Sequence, residues 1–166
     1  MRYVVLLVFI VCLDQLLKWY MSSLLPLCVI GYCNTIEVLP VFRFALLHNS
    51  GAAFSFLSDA GGWQRWFLVT VSVTVSTFIG VWLYRSVRTE KLLSLGLAFI
   101  LGGAIGNLID RVLDGYVVDF IVVHWQEYNF PAFNIADSAI FIGACILLLE
   151  MILKPEETGQ TGDSNG

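Results

Sequence analysis

Four stretches of almost unbroken apolar residues divide the chain. Crossing a hydrocarbon layer in helical form takes about 20 mostly apolar residues, and residues 3–21, 64–84, 92–112 and 135–153 meet that length. Between them the period changes. Within residues 22–62, Thr35-Ile-Glu-Val-Leu-Pro-Val-Phe-Arg-Phe-Ala-Leu-Leu47 mixes β-branched and aromatic residues in partial alternation around a Pro. That pattern predicts two or three short strands on a membrane surface. Residues 113–134 hold Tyr116-Val-Val-Asp-Phe-Ile-Val-Val123 and then the turn-prone Tyr128-Asn-Phe-Pro131, which predicts another strand or an interfacial segment. Past Pro155 the chain is polar and Gly-rich, so 155–166 is expected to be a disordered tail. The expected fold is an integral membrane, mainly α, four-helix bundle in one domain over 1–154, with a small β-rich layer outside the membrane.

Composition supports the membrane reading. Hydrophobic residues make up 58% of the 166 and charged residues 13%, against about 45–50% and 25% in soluble domains. The nine Lys and Arg are scattered in a chain of net charge −4, which excludes the clustered basic surface that nucleic acid requires. An even number of spans returns both ends to one side. Arg2, Arg85, Arg88, Lys91 and Lys154 then share a face, while the opposite loops hold only Arg43 and, at a helix end, Arg65; the positive-inside rule makes the termini cytoplasmic. Asp14, Gln15 and Lys18 within the first apolar run, and the lack of a small-residue cleavage site, favour an uncleaved first span over a signal peptide. Trp19, Tyr20, Trp63, Trp66, Trp82 and Tyr84 fall near predicted helix ends, where amphipathic rings prefer the interface.

The polar exceptions converge on one depth. At about 1.5 Å per residue, Asp14 stands roughly 18 Å up the first helix, Asn107 roughly 22 Å up the third and Asp137 roughly 25 Å up the fourth. Lys18, Asp110, Arg111 and Asp119 lie at or above that level. A charge at the bilayer centre costs about 2.5–3.5 kcal/mol on insertion scales, so such a cluster is paired, wetted or functional. Asp14 and Lys18 are spaced for an i,i+4 pair with the acid first. Asn107 shares a helix face with Asp110 and Arg111. Interhelical hydrogen bonding alone would account for much of this, but Asp119 and Asp137 lack an opposite charge at helical spacing.

Two carboxylates close together in a partly dry site tend to share a proton. That state suits peptide hydrolysis, in which one carboxylate takes a proton from water and the protonated partner polarises the carbonyl. With Pro131 between them, Asp119 and Asp137 can meet only through tertiary folding. Other chemistries have less support. His48 adjoins Asn49, and His124 begins His-Trp-Gln-Glu, which lacks paired zinc-ligand spacing; no metal or cofactor is expected. No nucleophile motif frames Ser50, Ser55 or Ser138. Gly102-Gly-Ala-Ile-Gly106 is a small-residue helix-packing pattern. The four cysteines are expected to be small buried apolar residues, with a Cys28 to Cys33 bridge possible in an oxidising compartment. A proton-coupled carrier, a non-catalytic assembly partner and a metal hydrolase remain as rival readings.

Five motifs occur in one order along the chain: Asp14-Gln-x-x-Lys18, Asn49-x-Gly-Ala-Ala-Phe54, Gly102-Gly-Ala-x-Gly-Asn-Leu-x-Asp-Arg111, Val117-Val-Asp-Phe-Ile121 and Phe133-Asn-x-Ala-Asp-Ser138. In these the chain closely resembles the lipoprotein signal peptidase (signal peptidase II) family of bacterial membrane aspartyl proteases. The resemblance implies cleavage of a diacylglyceryl-modified prolipoprotein on the N-terminal side of its lipidated cysteine, at the outer face of the cytoplasmic membrane. It implies a catalytic dyad of Asp119 and Asp137, with Asp14, Lys18, Asn49, Gly51, Asn107, Asp110, Arg111 and Asn134 lining or bracing the site. It also implies a β-cradle in 22–62, a lid in 113–134 and inhibition by cyclic peptides of the globomycin type; the chain is expected to be a monomer in contact with membrane lipid.

Overall fold

The computed structural model describes residues 1–29, 31–51, 62–126 and 128–153. The expected tail 155–166, Lys154, Ser55, and Ala52, Ala53 and Phe54 of the second motif lie outside the described residues. Four helices, α1 (Arg2–Leu24), α2 (Trp63–Ser86), α3 (Lys91–Leu113) and α4 (Ile135–Leu153), are long and apolar enough to cross a membrane. Hydrocarbon offers backbone groups no partner, so a helix that supplies its own bonds is the favoured form for these segments. Three threonine hydroxyls of α2 follow the same logic: Thr70, Thr74 and Thr77 each donate to the carbonyl four residues earlier at 2.8 Å.

Helix α3 is the hub, packed against each of the other three. Its contact with α4 is close because small residues face each other: a Cβ on Gly96 would meet the Gly143 carbonyl at 3.0 Å. Leu97, Ala98 and Leu101 of α3 form a core with Tyr3, Ile79 and Leu83. Elsewhere the helices turn large apolar side chains outward, Phe9, Phe78 and Phe141 among them, and lipid rather than water suits that surface. Trp19, Trp63, Trp66 and Tyr84 are exposed toward the helix ends.

The two long interhelical loops do not fold separately. Strands β1 (Ile36–Leu39), β2 (Phe42–Asn49), β3 (Val117–Trp125) and β4 (Tyr128–Asn129) form one antiparallel sheet in the order β1-β2-β3-β4. The stretch that the resemblance assigns to a lid thus supplies half of the sheet, and β3 is its most buried strand. Register places Leu47 opposite Asp119 and Asn49 opposite Val117, with an irregularity between Phe44 and Leu47.

The expectation for the cysteines is corrected. Cys28 and Cys33 form a disulfide, closing a small hairpin in which Val29 and Tyr32 exchange both backbone hydrogen bonds. Cys12 and Cys145 are free and exposed on the helices. On a membrane helix an apolar run does not separate the inward face from the lipid face, so an apolar setting did not imply burial.

Candidate functional site

The site starts from one buried ammonium. Lys18 spends its three protons on Asp14 Oδ2 at 2.7 Å, Asp110 Oδ2 at 2.8 Å and Asn107 Oδ1 at 3.0 Å, and Asp14, Lys18 and Asp110 are all buried. A buried pair survives only if its remaining lone pairs find donors. Those donors are present: Asp14 Oδ1 accepts the Ala136 N–H at 2.8 Å, and Asp110 accepts Gln15 Nε2 at 2.8 Å and the Val118 N–H at 3.2 Å. One cluster therefore ties α1 and α3 to the starts of β3 and α4.

From Lys18 the polarity passes outward through two amides. Because the Asn107 oxygen faces the ammonium, its Nδ2 points away and donates to Asp137 Oδ1 at 2.7 Å. Asn134 Nδ2 donates to the same Asn107 oxygen at 3.1 Å, to the Val118 carbonyl at 3.2 Å and to Asp119 Oδ1 at 2.8 Å. Flipping either amide would set oxygen against carboxylate oxygen.

Asn134 also opens α4. Its Oδ1 accepts the Asp137 N–H at 2.9 Å, and Asp137 Oδ2 accepts the Asn134 N–H at 3.3 Å. This is a reciprocal capping box, with the cap and the third helical residue satisfying each other. Fully buried Asn134 thus touches both Asp137 and Asp119. On the other side of Asp119, Asn49 Nδ2 approaches Oδ2 at 3.2 Å. The Gly51 N–H donates to Asn49 Oδ1 at 3.1 Å and so holds that amide's orientation.

The surroundings of Asp119 favour its protonated form. Burial first, and then the charge of Asp137, raise its pKa from 3.8 to about 7; the hydrogen bond from Asn49, the charge of Lys18 and the hydrogen bond from Asn134 act in the opposite direction. Arg111 also faces this pair, with Nη2 on the Gly51 carbonyl at 3.2 Å.

Both carboxylates line a cavity of about 1490 Å³. Its polar end holds Asn49, Asn107, Arg111, Asp119 and Asp137. Leu47, Val123, Phe130 and Phe133 form one apolar wall, and Ile140, Phe141 and Ala144 of α4 form another. Asp14, Lys18, Asn49, Gly51, Asn107, Asp110, Arg111, Asp119, Asn134 and Asp137 lie together in this cluster or on its immediate frame, whereas His124 stands apart, 3.4 Å from Glu37 on the sheet. Gln15 was quoted in a motif without a role, yet it links Asp14, Asp110 and the Gly106 carbonyl. His48, stacked on Tyr116 at 3.8 Å, forms part of the rim, and only its position beside Asn49 hinted at that.

The fold and the site define a class: a polytopic membrane protein with two linked carboxylates at the polar end of an apolar cavity. Residues 6–153 match the family described as signal peptidase (SPase) II, and the chain belongs to that family; it is a membrane peptidase. Proteins named lipoprotein signal peptidase are similar to it. The one from Alteromonas mediterranea is 54% identical over 76% of this chain and 71% of its own length. The one from Pseudomonas syringae pv. tomato is 49% identical over 93% and 87%. Two solved bacterial membrane enzyme structures share the fold, with TM-scores of 0.78 and 0.76. Their identities are 26% and 27%, and they cover 99% and 93% of this chain and 94% of each of theirs.

Proposed function

We propose that the chain is an aspartyl endopeptidase that removes the signal peptide from diacylglyceryl-modified prolipoproteins, cutting on the N-terminal side of the lipidated cysteine. The observation that carries this reading is the bridge of Asn134 between Asp119 and Asp137 at the head of a cavity walled by apolar residues of α4. Acyl chains of the substrate lie along Ile140, Phe141 and Ala144, and the scissile peptide reaches the polar end.

Water is held between the two carboxylates. Asp137 takes its proton as the oxygen attacks the carbonyl carbon, while protonated Asp119 donates to the carbonyl oxygen. Collapse of the tetrahedral intermediate breaks the C–N bond and passes a proton to the departing amine. No covalent enzyme intermediate is formed. Arg111, Asn49 and Gly51 hold the peptide end of the cavity. One chain supplies all these groups, so a monomer suffices for the chemistry, and a cyclic peptide of the globomycin type competes for the same cavity.

The site faces the outer side of the cytoplasmic membrane, with the N and C termini cytoplasmic. Two observations support that orientation: Arg2, Arg85, Arg88 and Lys91 gather at the end opposite the sheet, and the Cys28–Cys33 disulfide at the sheet end belongs in an oxidising compartment.

The test is cleavage of a diacylglyceryl prolipoprotein by detergent-purified enzyme with EDTA present, comparing wild type with Asp137→Asn of matched thermal stability. Wild-type turnover with a folded, inactive variant supports the dyad. Equal turnover by both would remove it, and no turnover by either would remove the substrate assignment.

A further inference from the structure

The turn from α3 into β3 sets how Arg111 stands relative to Asp119, and both side chains face the cavity. It is short and tightly specified. Gly115 has φ +85°, a region that favours glycine. A helix end leaves its last carbonyls without intrahelical partners. At this end, Asp110 O accepts the N–H groups of Asp114 at 2.7 Å and Gly115 at 3.2 Å. The next three carbonyls all go to one side chain of another helix. Arg65 donates through Nε to Arg111 O at 2.9 Å, and through Nη2 to Val112 O at 2.6 Å and Leu113 O at 3.4 Å. The same guanidinium packs beside Gly115, where a Cβ would stand 3.1 Å from Nη1.

We propose that Arg65 is a positioning residue for peptide hydrolysis: by fastening the last turn of α3 to the start of α2, it fixes the placement of the Arg111 guanidinium against the Asp119 carboxyl. The proposal rests on the reading of Asp119 and Asp137 as the dyad. A rigid fork serves several carbonyls at once where an ammonium is a single flexible point charge, and the positive charge complements the negative end of the α3 dipole. The connections beyond Arg65 are short. The carbonyl of Arg111 is held by Arg65, while its guanidinium reaches Gly51 O at 3.2 Å and Asn107 O at 3.5 Å. Asp110 of the same turn holds the Val118 N–H at 3.2 Å, one residue before Asp119. Asn134 and Asp137 belong to α4 and its cap, so a shift in the α3 end displaces one half of the site against the other. The charges that act on Asp119 are Asp137 from α4 and Lys18 from α1, and Asp119 in turn acts on the Arg111 guanidinium from α3, so a displaced α3 end alters that pairing and the Asp119 titration reads it.

The experiment compares wild type, Arg65→Lys and Arg65→Gln, each purified whole in detergent, by two readings. One is the rate of diacylglyceryl-prolipoprotein cleavage as a function of pH. The other is the titration midpoint of Asp119 in substrate-free protein, followed by carbon-13 NMR of labelled aspartates and assigned with Asp119→Asn. A misplacement of about 1 Å costs on the order of 100-fold in rate, and Arg65→Gln is expected to lose kcat on that scale with much less change in KM. Arg65→Lys is expected to fall between, and the Asp119 midpoint to move in the same order. Lower thermal stability with wild-type kcat per folded molecule and an unmoved midpoint would make Arg65 a helix cap only and overturn the proposal. If Arg65→Gln does not fold, Arg65→Lys decides alone: reduced kcat with a displaced midpoint supports the proposal, and wild-type values overturn it. The midpoint requires no substrate, so absence of wild-type cleavage would count against the substrate and dyad readings without imitating a negative result for Arg65.

Discussion

Gly106 of α3 and Asp14 of α1 approach so closely that a Cβ on the glycine would stand 2.7 Å from Asp14 Oδ2, the oxygen that holds Lys18. The glycine is therefore the space in which the buried ion cluster sits. Gly106→Ala must displace Asp14 from Lys18 and from the Ala136 N–H, and overpacking of this kind costs about 1–3 kcal/mol. Thermal or denaturant unfolding in detergent should show a clear loss for Gly106→Ala. Gly80→Ala is the control, because a Cβ there meets nothing closer than Leu101 Cδ2 at 3.8 Å. Equal stability of the two variants would contradict the steric argument.

Asn134 serves the α4 cap and the proposed dyad with the same amide, and the two contributions differ in size. Loss of a helix cap costs about 1 kcal/mol. Loss of one preorganised donor in an active site lowers kcat about 10²–10³-fold. Asn134→Ala is expected to retain most of its stability and lose kcat on the larger scale. Activity that falls only in proportion to the unfolded fraction would reduce Asn134 to a cap.

The proton on Asp119 gives a pH dependence with a defined sign. Its pKa is raised from 3.8 to about 7. The folded chain therefore holds a proton that the unfolded chain has released between those values. The stabilisation is complete below pH 3.8 and is lost as pH rises through about 7. Activity that needs protonated Asp119 should decline on the alkaline side of the same value. Asp137→Asn removes the neighbouring charge, so the Asp119 midpoint should fall; it should stay above 3.8 because burial, the larger cause, remains. Carbon-13 NMR can follow that midpoint, and a rise on substitution would contradict the charge coupling.

Reducing the Cys28–Cys33 disulfide tests the hairpin that follows α1. The bond spans a sequence separation of five, and loop-closure entropy for so short a loop gives about 2 kcal/mol. The double Cys→Ser variant should unfold at lower temperature while its folded fraction cleaves normally, since the disulfide lies outside the dyad cluster. Loss of turnover at full stability would show that the hairpin contributes to the site.

The helices were legible because lipid imposes a length and composition that few other structures share. That Asp14, Lys18 and Asn107 stand at one level and meet was legible for the same reason, since rise per residue is fixed along a helix. The pairing of β2 with β3 was not: Asn49 and Asp119 meet across 70 residues, and alternation within each strand does not name its partner. The spacing of Asn134 and Asp137 is a capping-box spacing, visible in the sequence, but its dual role depends on where Asp119 lies. Two further contacts left little trace because their partners are backbone atoms. Asp14 binds the N–H of Ala136, and Arg65 binds three carbonyls of α3; any residue could supply those groups.

On the function proposed above, the apolar wall of Ile140, Phe141 and Ala144 changes what substrate concentration means. The proposed lipid-anchored substrate, entering beside α4, would arrive from the plane of the bilayer, so the relevant quantity would be its number per unit area, not per litre. In mixed micelles the corresponding quantity is mole fraction. Added empty detergent dilutes the substrate even when its molarity is unchanged, and saturation measured in one lipid mixture carries over to another only after conversion to surface density.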